Sequence, residues 1–125
     1  AIQKNYTACD PDIVMNDDEE FDLRSYGIKG KVVATPGHTE GSLSVLLDTG
    51  DTIVGDLISS GILLGGIARK DKAKRPPFEE NPKAVATALR SLANSGGKLF
   101  FMGHGGPLPK EEVLRHCKTL ETHHQ

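Results

Sequence analysis

A short apolar run, Leu43-Ser44-Val45-Leu46-Leu47, lies between two clusters of glycine and polar residues. No other stretch limits the possible folds so strongly. On its N-terminal side stands Thr35-Pro36-Gly37-His38-Thr39-Glu40-Gly41-Ser42, and on its C-terminal side Val54-Gly55-Asp56. Ser42 to Leu47 suits a largely buried strand closed by turn residues. Asp48-Thr49-Gly50-Asp51 is the turn, with Gly50 free to take positive φ. Thr52 to Gly55 returns as the second strand of a hairpin. Two antiparallel strands of similar length bring Asp56 back to the neighbourhood of His38. Pro36 and Gly37 end the preceding strand and permit a sharp bend that aims the imidazole outward. An imidazole and a carboxylate meeting at strand ends are candidate ligands for a borderline metal such as zinc.

A third segment repeats the design. Lys98-Leu99-Phe100-Phe101-Met102 reads as a buried strand and stops at Gly103-His104-Gly105-Gly106-Pro107. Taken singly, a histidine beside glycine is an ordinary hydrogen-bonded loop residue. Three such pieces in this order carry more information than any one of them.

Together, Thr35 to Ser42, Gly55-Asp56 and Gly103 to Pro107 resemble the C-terminal half of a metallo-β-lactamase-fold hydrolase. Asp56 follows His38 by 18 residues, and His104 follows Asp56 by 48, which suits that superfamily. The resemblance covers about residues 12 to 120. It implies an α/β (α+β) fold: half of an αββα sandwich, a mostly antiparallel sheet with two helices on its outer face. It also implies two zinc ions, with His38 on one, Asp56 bridging both as the catalytic carboxylate, and His104 on the second. Substrates implied in this way are small thioesters, lactones, esters or amides. Members carry a first motif, His-x-His-x-Asp-His, upstream of these positions. No such pattern occurs in this sequence, where the only adjacent histidines are His123 and His124. A catalytic zinc usually takes three protein ligands. By that standard the chain alone should bind metal weakly or not at all and be inactive. The resemblance therefore implies one of two partners: a missing N-terminal half, or a second copy covering the exposed sheet face as a homodimer. In the second case the half-fold would be a non-catalytic binding or structural module.

Composition narrows the field. The 125 residues suit one domain, 1–125, with a net charge of −2. Nothing in this balance suggests a nucleic-acid or membrane-surface binder. Two cysteines, Cys9 and Cys117, make no disulfide framework, and a reducing, cytoplasmic setting is the simpler expectation. No signal peptide or membrane-spanning run is visible.

Along the chain, Ile13 to Met15, Phe21 to Leu23 and Lys31 to Ala34 read as short strands, and Tyr26 to Gly30 as a loop. Leu57 to Ile67 is apolar and rich in glycine. It reads either as a pocket wall near the ligands or as a loop packed on the core or on a missing half. Arg69 to Arg75 holds five basic residues in seven. It reads as a solvated loop or as a cationic rim that steers an anionic substrate. Asn81 and Pro82 open a helix whose apolar stripe is Val85, Ala88, Leu89 and Leu92, ended by Gly96-Gly97. A second helix starts near Pro109, with Glu111 and Glu112 in its first turn. Val113, Leu114, Cys117 and Leu120 form its buried side, which makes Cys117 a core residue. His116, His123 and His124 are expected at the surface.

Overall fold

A computed structural model describes residues 10–16, 19–62, 68–74 and 81–122. Within them the strands are β1 (Glu20–Asp22), β2 (Gly30–Ala34), β3 (Leu43–Leu47), β4 (Asp51–Ile53), β5 (Ser59–Ile62), β6 (Ala68–Lys74), β7 (Leu99–Phe101) and β8 (Leu108–Pro109). The helices are α1 (Pro82–Asn94) and α2 (Lys110–Thr122). Six strands form one mixed sheet in the order β1-β2-β3-β4-β7-β8, and β5 pairs with β6 in a second, two-stranded sheet. Every pairing in the large sheet is antiparallel except β4 with β7. A parallel neighbour requires a long crossover, and here β5, β6 and α1 lie between the two strands in sequence.

Strict alternation gives the sheet two different faces. Leu46, Thr52, Phe100 and Leu108 lie side by side on adjacent strands and are all buried. They face the helices. Val85, Ala86, Leu89, Leu92 and Ala93 of α1 and Val113, Cys117 and Leu120 of α2 complete this core. The shape follows from periodicity: α1 is apolar every three or four residues, so one side of it dries completely. Its start is fixed by the Asn81 side chain, which accepts a hydrogen bond from Ala84 N at 3.1 Å, and by Pro82 in the first turn. The bidentate pair from Arg90 to Glu121, at 2.7 and 2.6 Å, ties α1 to α2.

Four expectations need correction. Ile13 to Met15 is not a strand, and Ile13 and Val14 are exposed. A β-branched pair makes no strand without a neighbour to supply its ladder bonds. The basic run is not a loop over its first six residues, because Ala68–Lys74 pairs with β5. The segment from Leu57 likewise enters a strand at Ser59, and residues 63–67 lie outside the described residues. His116 is buried, not at the surface. Helix α2 is enclosed by α1 together with β6, β7 and β8. Its buried arc is therefore wider than its apolar stripe and takes in Glu112 and His116. Glu112 is held there by accepting hydrogen bonds from Ala73 N at 2.7 Å and from the Arg115 guanidinium at 2.7 and 2.6 Å. His123 and His124 lie outside the described residues. Among the described residues no helix is long and apolar enough to cross a membrane.

Candidate metal centre

The register of the large sheet decides where the three motifs stand. Val32, Val45, Ile53 and Phe101 are aligned across β2, β3, β4 and β7. Strand β3 runs opposite to the other three. The loop after β2, the turn after β4 and the loop after β7 therefore all leave the same end of the sheet. These carry His38, Asp56 and His104 respectively.

Asp56 and His104 are neighbours. Beyond the last ladder residues the two strands stay bonded, with Val54 N donating to Phe101 O at 2.9 Å and Gly103 N to Gly55 O at 3.0 Å. Gly55 turns the chain with φ 57°, a conformation that glycine takes without a Cβ penalty. The Asp56 carboxylate then lies 4.0 Å from His104 Nε2, with side chains 48% and 79% exposed. Gly103 is part of this geometry. A Cβ there would stand 2.8 Å from Asp56 Oδ1. Gly103 thus makes room for the carboxylate.

His38 is set differently. The Thr35-to-Ser42 loop is closed by its own polar groups: Thr35 N donates to Ser42 O at 2.9 Å, and the Thr39 and Ser42 hydroxyls meet at 2.9 Å. Beneath it the hydroxyls of Thr35 and Ser44 pair at 2.7 Å in a buried setting. Asn81 N donates to Gly37 O at 2.8 Å, which docks the loop on the start of α1. A Cβ at Gly37 would fall 2.7 Å from Val85 N, so this glycine is required by helix packing and opens no room for a ligand. The resulting His38 ring is half-buried, and its Nδ1 is buried with no hydrogen-bond partner.

These groups fit part of a metal donor set. An unpartnered buried nitrogen is costly, by about 1–3 kcal/mol, and a carboxylate beside an imidazole is a usual zinc pair. Yet among the described residues no three His, Cys, Asp or Glu side chains cluster closely enough to hold an ion. The structure brings Asp56 and His104 into contact and places His38 at the same end of the sheet, outside such a cluster.

Other reactive groups are accounted for. Burial pushes the Cys117 thiol up to about 11, so it stays protonated near neutral pH and serves as core. A groove of ≈ 510 Å³ opens at the opposite end of the sheet, lined by Arg24, Lys31, Asp48, Gly96 and neighbours. Its cations are ion-paired, Arg24 with Asp22 and Asp48, and Lys31 with Glu20.

The fold matches part of the structures of metallo-β-lactamase superfamily proteins. Its structure is similar to that of an archaeal metallo-β-lactamase superfamily protein from Sulfolobus tokodaii, at 26% identity and a TM-score of 0.59. That match covers 90% of this chain and 40% of the other. A metallo-β-lactamase family protein from Thermus thermophilus matches at 26% identity and a TM-score of 0.54, covering 89% of this chain and 34% of that one. The chain thus spans well under half the length of these solved relatives. No protein-family model and no curated protein sequence matches it.

Proposed function

We propose that this chain is the C-terminal part of a zinc-dependent hydrolase acting on the carbonyl of a small thioester, lactone, ester or amide. The observation that carries this reading is the contact of Asp56 with His104 at the sheet end that also bears His38. In it, His38 serves one ion, His104 a second, and Asp56 both. The remaining ligands come from a segment outside these residues, in keeping with the small share of its solved relatives that the chain spans. Metal of this kind, when bound, supplies acidified water and an electrophile for the carbonyl oxygen.

The chain's own residues have simpler tasks. Both imidazoles must be neutral to offer a nitrogen to an ion. Gly103 leaves the Asp56 carboxylate unobstructed. The hydroxyls of Thr35, Thr39, Ser42 and Ser44 fix the loop on which His38 sits.

The test compares this chain with a longer one that carries an upstream His-x-His-x-Asp-His run, by zinc titration and by turnover of thioester and lactone substrates. The longer chain should bind zinc and turn over substrate, and Asp56→Ala should abolish both. A longer chain that retains full activity as the Asp56→Ala variant would overturn the proposal.

A further inference from the structure

His104 stands at the crown of a short loop whose backbone has little stiffness of its own. Three of the five residues from Gly103 to Pro107 are glycine, and Gly105 and Gly106 take φ 85° and 75°. Such a stretch is entropically costly to hold in one shape. The ring gives no support either, because the His104 side chain is 79% exposed. From Met102 to Pro107 only Met102 and Gly106 are half-buried, and the other four residues are exposed. These two touch. A Cβ at Gly106 would fall 3.0 Å from Met102 Cε, 3.2 Å from Sδ and 3.3 Å from Cγ. The thioether therefore lies along the bare face of Gly106, and the same side chain packs against the core beneath the helices.

We propose that Met102 is a positioning residue for His104, its thioether closing the loop that carries the imidazole. The proposal rests on the metal-binding role given to His104 above. His104 is two residues from each partner in the Met102–Gly106 contact, so that contact fixes both ends of the span that bears the ring. On one side Met102 follows β7 directly, and Gly103 N donates to Gly55 O at 3.0 Å. On the other, Leu108 of β8 pairs with Phe100. Neither of these ties involves residues 104–106. Methionine suits the task, because an unbranched thioether follows an irregular surface. The contact matters because a ligand held about 1 Å too loosely spoils a metal site. Asp56 keeps its place without Met102, since Gly55 and the bond from Gly103 N set it. His38 does so as well, on a loop docked on α1. The effect of Met102 is therefore confined to the ion that His104 serves.

Nuclear magnetic resonance of the 125-residue chain tests the contact first. Cross-relaxation between the Met102 methyl group and the Gly106 α-protons is expected, and its absence would overturn the proposal without any variant. Met102→Ala should loosen Gly103 to Gly106, with backbone order parameters falling below about 0.6, whereas Met102→Leu should keep them near about 0.85. Wild-type order in the folded alanine variant would overturn the proposal too. In a longer chain that carries the upstream ligands, zinc titration of Met102→Ala should show one of two ions bound about 10- to 100-fold more weakly. Met102→Leu, which conserves volume, should restore it. A merely structural role predicts a lower melting temperature with both ions bound as before, or both weakened alike, and either result would overturn the proposal. The two readings fail differently. An unmutated longer chain without zinc sinks the functional reading and this proposal with it, whereas two tightly held ions in its Met102→Ala variant sink this proposal alone.

Discussion

Asp56 Oδ1 lies 4.0 Å from His104 Nε2, across the ends of two parallel strands, and Gly103 is what leaves the carboxylate room. Both side chains are largely in water, and an exposed pair of this kind adds only about 0–1 kcal/mol to stability. The relationship therefore matters for what the two groups can hold. Gly103→Ala would set a methyl group 2.8 Å from Oδ1. The carboxylate is the end of a short side chain and would turn aside, so the fold should survive. Zinc affinity of the protein carrying the complete donor set should fall about 10- to 100-fold, as for other changes next to a ligand. Calorimetric titration with thermal melting checks this. Unchanged affinity would remove Asp56 from the donor set.

Gly37 presents the opposite case. The atoms that a Cβ would meet are Val85 N and its side chain, both at 2.7 Å. Backbone in the first turn of a helix yields little, and Val85 is fully buried. Gly37→Ala should therefore destabilise the chain by about 1–3 kcal/mol through overpacking. The loop would lift from α1, breaking the bond from Asn81 N to Gly37 O. Denaturant unfolding measures the loss. A neutral substitution would mean that the loop is not docked on α1 in solution.

How much of this was legible depended on whether the signal was local. The hairpin from Leu43 to Ile53 was, because an apolar run closed by Asp48-Thr49-Gly50 specifies its own turn. The start of α1 was also clear, since Asn81 and Pro82 act within one turn. That the His38 and Asp56 segments share a sheet end followed from the lengths of the hairpin strands, but the place of the His104 strand, parallel to β4 after a long crossover, did not, and neither did the side-chain separations. What the glycines pack against was hidden for the same reason. Gly37 meets a helix more than forty residues later in sequence, and Gly103 meets a carboxylate in the turn after β4. A basic run such as Arg69 to Lys74 reads as solvated, and it pairs as a strand because β5 supplies a partner. Burial of Glu112 and His116 was hidden because helical periodicity shows the apolar side, not what else is enclosed.

Glu112 bears a heavier load than its place in the first turn of α2 suggests. Its carboxylate serves the backbone N–H of Ala73 on β6 and the Arg115 guanidinium together. The same contact holds Arg115 above its ordinary value, chiefly by side-chain hydrogen bonding to Glu112. Glu112→Ala would leave a strand N–H and a guanidinium without this acceptor. The expected cost is about 2–3 kcal/mol. Glu112→Gln keeps one acceptor oxygen and should lose roughly half as much. Hydrogen exchange at Ala73 should rise in the alanine variant before global unfolding does. Protection that stays at wild-type level would show that the carboxylate does not anchor β6.

The pair Arg90–Glu121 gives the molecule a pH-dependent tie between its helices. Hydrogen bonds from Arg90 hold the Glu121 carboxyl below its ordinary value of 4.5. A depressed folded value means that the unfolded chain takes up the proton first as pH falls. The stabilisation is therefore fully present above 4.5 and is lost as pH drops through the folded value. Its size is modest, because the side chains are 37% and 40% exposed and salt screens them. A double-mutant cycle of Arg90→Ala and Glu121→Ala should give a coupling of about 0.2–1 kcal/mol at neutral pH. The coupling should shrink in high salt and vanish in acid, where Glu121 is neutral. A coupling that survives acid would instead assign the effect to the packing of the Arg90 stem against α2.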